Sequence, residues 1–117
     1  IEKFSELIKL KPYSKEARYK LHIAKGRLYI RRGKKKLYWQ ALLEFGEAMA
    51  LKPDSAEPHY YMAIVYEKQD SNDYDTPISE YKKALELEPG GKFAELCKSK
   101  IKKLSATKEK MRKFWGK

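Results

Sequence analysis

Three prolines, Pro12, Pro53 and Pro89, each close a segment of one pattern, and that recurrence constrains the fold of the 117-residue chain more than any other feature. The segments read FSELIKLKP, FGEAMALKP and YKKALELEP. In each, an aromatic residue (Phe4, Phe45, Tyr81) stands eight positions before the proline, and a small or aliphatic one (Leu7, Ala48, Ala84) stands five before it. Phe45, Ala48 and Met49, like Tyr81, Ala84 and Leu85, share a face at the i, i+3, i+4 spacing of an amphipathic helix. Proline cannot continue such a helix and biases the residue before it towards extended backbone, so each segment predicts a helix that stops at its proline.

The chain repeats after the first two prolines as well. PYSKEARYKLHIAK and PDSAEPHYYMAIVY align without a gap, with serine, glutamate, tyrosine and isoleucine coinciding. Ser14 and Ser55 are expected N-caps, because a serine hydroxyl accepts from an otherwise orphaned amide of the first turn. Glu16 and Glu57 then fall where the helix dipole favours negative charge. The unit is therefore helix A, turn, helix B, proline, and its pattern over residues 2–89 resembles the tetratricopeptide repeat. Ala41, Phe45, Ala48 and Pro53 carry the helix B signature of one repeat and Leu21 its helix A leucine. Met62, Ala63, Tyr66, Tyr81, Ala84 and Pro89 carry the next.

The resemblance implies an all-α fold of stacked antiparallel helical hairpins, a right-handed superhelical array. Residues 1–12 are expected to be the second helix of a truncated repeat, 13–53 a first repeat, 54–89 a second, and 90–117 a capping helix with a basic tail, all in one domain. Family repeats run to about 34 residues. The proline spacings here are 41 and 36, so the first repeat is expected to be elongated by about a turn in each helix. A competing alignment sets Gly26, Tyr29 and Gly33 at the family's glycine, tyrosine and turn positions, shifting helix A by four residues; the ungapped alignment is preferred. Pro77, tolerated only in a first turn, predicts that the last helix B starts near Thr76 after a loop at Asp70–Asp73. Beyond Gly90 and Gly91, expected to cap a helix, Phe93, Leu96, Cys97, Ile101, Leu104 and Met111 recur at helical spacing, as a helix closing the array would.

Charge is banded along the chain. Residues 1–53 carry 14 Lys/Arg against 5 Asp/Glu, residues 54–89 carry 3 against 9, and residues 90–117 carry 10 against 2. Such a basic balance suits a solvated surface or an acidic partner. Cys97 is the sole cysteine, which excludes an internal disulfide and a multi-cysteine zinc site. His22 and His59 have no metal-ligand spacing, and no phosphate loop, HExxH or nucleophile elbow is present. The chain reads as no enzyme and needs no cofactor. The single cysteine favours a cytoplasmic setting; no apolar run reaches the roughly 18–20 residues that span a bilayer, and no signal-peptide pattern opens the chain. Opening on Ile1 inside a structural unit, it reads as a piece of a longer protein.

In the family, helix A residues line a concave groove. The resemblance transfers Tyr19, Lys20, Ile23 and Arg27 of the first repeat and Tyr60, Tyr61, Ile64 and Lys68 of the second to that lining, pointing to a protein or peptide partner of acidic character. The lysine and asparagine set that grips the acidic tails of chaperones is replaced by Tyr19, Ile23 and Tyr61, which disfavours that ligand. A second candidate surface is the run Arg31, Arg32, Gly33, Lys34, Lys35, Lys36 at the expected hairpin tip, with Tyr38 and Trp39 beside it. Contact of this tip and the tail with nucleic acid or an anionic membrane is the alternative function, and both partners are disfavoured relative to protein. Self-association through the apolar face of the N-terminal half-repeat is a further expectation.

Overall fold

The computed structural model describes residues 14–116; the expected half-repeat at 1–12, with the self-association assigned to it, lies outside the described residues. Every regular element among them is a helix, and the chain divides into two compact units, one ending at Asp54 and one beginning at Ser55.

Among its described residues the first unit holds a helical hairpin of α1 (Lys15–Arg32) and α2 (Lys35–Leu51), 18 and 17 residues long. Ser14 caps α1 by accepting from the Ala17 N–H at 3.0 Å, with Glu16 in the first turn and Arg31 and Arg32 in the last, each matched to the dipole. The helix stops at Gly33, whose φ of 70° is the left-handed conformation that costs glycine least, and whose N–H bonds back to Tyr29 and Ile30. The buried Tyr38 donates its hydroxyl to the Gly33 carbonyl at 3.3 Å, pinning the turn to α2. Between the helices, Gly26 lies against the ring of the fully buried Phe45: a Cβ at residue 26 would fall 2.5 Å from two ring carbons. Ala41 and Ala48, also fully buried, lie one turn to either side of Phe45 on α2.

The second unit comprises α3 (Glu57–Gln69), α4 (Asp75–Leu87) and α5 (Ala94–Phe114). Its core holds Ala56, Ala63, Tyr81, Ala84 and Cys97, with Tyr60, Ile64, Leu85, Phe93, Ile101 and Leu104 packed around them. Helix α4 begins two residues before Pro77, which sits buried in the first turn where its missing N–H is harmless. The Asp73 carboxylate accepts from the Thr76 N–H at 3.1 Å, and the Thr76 side-chain hydrogen bond, helped by that N–H, holds its pKa below the usual range. Helix α5 runs back along α4, its Lys100 paired with Glu67 at 3.2 Å and its Lys108 with Asp75 near the start of α4.

Three local expectations change. The residue that precedes α3 is Ala56 rather than Ser55. Its N–H is satisfied from a distance, by Glu88 Oε2 at 2.6 Å, so the end of α4 caps the start of α3. Gly90 and Gly91 do not adopt positive φ and form a turn rather than a left-handed cap, with Gly91 close against Glu88. Leu96 is 49% exposed, because Phe93 and Cys97 take the inward positions at the start of α5.

Candidate partner-binding surfaces

The two hairpins share an internal brace that fixes how their residues correspond. Nδ1 of His22 donates to Glu44 Oε1 at 2.7 Å, joining α1 to α2, and Nδ1 of His59 donates to Glu80 Oε1 at 2.9 Å, joining α3 to α4. One turn further along each first helix, Gly26 and Ala63 supply the small residue, and Phe45 and Tyr81 the buried aromatic of each second helix. The first-helix residues of these pairs are 37 positions apart and the second-helix residues 36. That is the alignment shifted by four residues, and it displaces the ungapped one within helix A. Sequence identity at the helix start suggested the latter, whereas the close approach of helices at Gly26 decides the register.

In the structural register Tyr60, Tyr61, Ile64 and Lys68 correspond to Ile23, Ala24, Arg27 and Arg31. Tyr19 and Ile23 are 5% and 6% exposed, so neither offers a side chain to a partner. The Lys52 ammonium lies 4.7 Å above the Tyr19 ring and also pairs with Glu16, whose carboxyl that hydrogen bond holds below its usual range. Lys20 and Arg27 are exposed. Ala24, Arg27, Leu28 and Arg31 line a shallow open depression, its two arginines one turn apart on α1. Ala24 and Leu28 are lining residues that the sequence pattern did not single out.

The tyrosines of α3 are drawn into packing instead. Tyr60 stacks on Phe93 with centroids 4.6 Å apart, meets Tyr61 edge-on at 5.2 Å, and lies 5.9 Å from Tyr81. Tyr61 also meets Phe93 edge-on at 5.8 Å. Burial raises the Tyr60 hydroxyl pKa, and burial together with its hydrogen bond to Glu67 raises that of Tyr81 further. Ile64 is half-buried and Lys68 exposed, so the accessible row on α3 is the outer part of Tyr61, Ile64 and Lys68.

Glu80 and Cys97 are held in the packing of the second unit. Burial acts to raise the Glu80 pKa, but the bond from His59 and the Lys83 ammonium at 3.3 Å outweigh it and leave the carboxyl below its usual range. Cys97 is fully buried, and burial pushes its thiol pKa up, away from the reactive thiolate. Among the described residues no group of three or more His, Cys, Asp or Glu side chains is placed to hold a metal, and no helix is long and apolar enough to cross a membrane.

The basic run forms the tip of the first hairpin. Arg31 and Arg32 end α1, Lys34 precedes α2 without a side-chain capping bond, and Lys35 and Lys36 occupy its first turn, where no acidic residue stands. Trp39 and Leu43, 64% and 59% exposed, continue along α2. No family model matches the sequence, and no curated protein matches it.

Proposed function

We propose that the hairpins are tetratricopeptide-type units of a right-handed superhelical array, and that the chain is a non-catalytic scaffold that docks a peptide or partner protein along the outer rows of its first helices. The observation that carries this reading is the repeated brace. The same His–Glu bond joins both hairpins, and in each a small residue one turn further on and a buried aromatic of the second helix share the core, as repeated units of one construction require. The brace engages His22, His59, Glu44 and Glu80, and Cys97 is buried, so recognition is assigned to the outward row of each first helix. On α1 that row is Lys20, Ala24, Arg27 and Arg31; on α3 it is Tyr61, Ile64 and Lys68. Its cations favour a partner bearing carboxylates, with Ala24, Leu28 and Ile64 offering apolar contact.

A photo-cross-linking residue placed at Lys20 or Lys68 tests the reading, with one at Lys82 on α4 as the control. A partner retained by the rows gives adducts at the first two positions, weakened by Arg27→Glu and unaffected by the control. Adducts equal at all three positions would reject the groove. Replacing Tyr60 by alanine is the wrong variant for this purpose, since it removes the stack on Phe93 and perturbs the fold.

A further inference from the structure

The tip of the first hairpin makes a second surface independent of those rows. From Ala17 to Leu43 the chain carries nine Lys/Arg and no Asp or Glu. Among the described residues no ion pair engages Arg31, Arg32, Lys34, Lys35 or Lys36, whereas Lys25 pairs with Glu44 and Lys52 with Glu16. Four of the nine carboxylates of residues 54–89 are engaged within the second unit: Glu67 binds Lys100, Asp75 binds Lys108, Glu80 binds His59, and Glu88 holds the Ala56 N–H.

Folding gives no reason for the lysines. Lys34 occupies a cap position where an oxygen acceptor stabilises and a lysine does not, and Lys35 and Lys36 stand at the positive end of the α2 dipole. Lys35, Trp39 and Leu43 follow one another at four-residue spacing, so they share one face of α2, cation first and two exposed apolar side chains after it. An indole and an aliphatic side chain beside a crowded cationic turn match the boundary between charged headgroups and acyl chains. A single-stranded nucleic acid could stack on Trp39 but has no use for Leu43. Protein interfaces are depleted in lysine, and Lys34, Lys35 and Lys36 stand in the turn beside Trp39.

We propose that this tip docks on an anionic lipid bilayer, with the five cations on the headgroups and Trp39 and Leu43 reaching the interface beneath them.

The test uses the full chain carrying Trp115→Phe, which leaves Trp39 as the one tryptophan. Vesicles of phosphatidylcholine mixed with phosphatidylserine should shift Trp39 emission to the blue, and brominated acyl chains should quench it. Phosphatidylcholine alone should do neither. Replacing Lys34, Lys35 and Lys36 together by glutamine should weaken vesicle binding by roughly a hundredfold, at about fivefold for each surface cation lost. Trp39→Ala with Leu43→Ala, read by sedimentation with vesicles, should remove the component of binding that survives high salt. Unchanged helical circular dichroism certifies each variant. The proposal is overturned if bound protein shows no quenching of Trp39, or if neutral vesicles bind as well. It is equally overturned if duplex DNA or polyglutamate binds the tip more tightly than the mixed vesicles.

Discussion

Two glycines of the first hairpin should respond oppositely to the same substitution, and the contrast measures how closely α1 and α2 approach. At Gly26 an alanine Cβ would lie 2.5 Å from two carbons of the Phe45 ring and 3.0 Å from a third. Carbon atoms rest about 3.5–4.0 Å apart, so the ring must retreat by about 1 Å. Phe45 is fully buried and has no open side to move into. Overfilling a packed core costs about 1–3 kcal/mol, and alanine returns about 1 kcal/mol of helix propensity, so Gly26→Ala should destabilise by about 1 kcal/mol. At Gly46, inside α2, an added Cβ meets nothing within 4 Å, so Gly46→Ala keeps the propensity gain and should stabilise by about 1 kcal/mol. Urea unfolding followed by circular dichroism reads both. Combining Gly26→Ala with Phe45→Leu should cost less than the sum of the two single changes, because the smaller side chain vacates the space that the methyl enters. If Gly26→Ala stabilised as much as Gly46→Ala, the contact at Phe45 would be soft, and the register drawn from it would fail.

The remaining predictions concern the second unit. Glu88→Ala should lower stability by about 1–2 kcal/mol by orphaning the Ala56 N–H, with glutamine recovering part of the loss in the same unfolding assay. Glu80 has a depressed carboxyl pKa in the folded chain, so the unfolded chain binds the extra proton near the ordinary value of 4.5. Its contribution is therefore complete above that pH and lost as pH falls through the lower folded value; Glu80→Gln should flatten that part of the stability profile measured by denaturation across acid pH. Cys97 should resist an aromatic disulfide reagent in the native protein and react once denaturant exposes it. Fast labelling under native conditions would contradict its burial.

The helices were legible wherever period and punctuation agreed. The proline at the end of each segment and the i, i+3, i+4 spacing before it placed Phe45, Ala48, Tyr81 and Ala84 inward, where they lie fully or almost fully buried. Pro77 located the start of α4 within a residue, because its ring excludes all but the first turn. Register within α1 was less legible. Tyr19 and Tyr60 match as letters, yet helix-to-helix distance is set by the smallest residue at the crossing, and the close approach of Gly26 to a ring is a fact of three dimensions. The same holds for Phe93, whose helical spacing with Cys97 suggested the α5 face but not its stack on Tyr60. Of the candidate surface, the cations were visible and the apolar neighbours were not distinguishable by type. Trp39 and Tyr38 are adjacent aromatics, and only the fold separates the exposed one from the buried one.

The bond from Glu88 to the Ala56 N–H joins the point where the α3–α4 hairpin begins to the point where it ends. With the interhelical loop at Asp70–Tyr74 closing the opposite end, the pair is a ring fastened at two places, one covalent and one electrostatic. A cut in that loop therefore leaves both helices tethered, through Glu88 at one end and the His59–Glu80 bond along their length. Scission of that surface loop would thus leave the hairpin fastened at two further points.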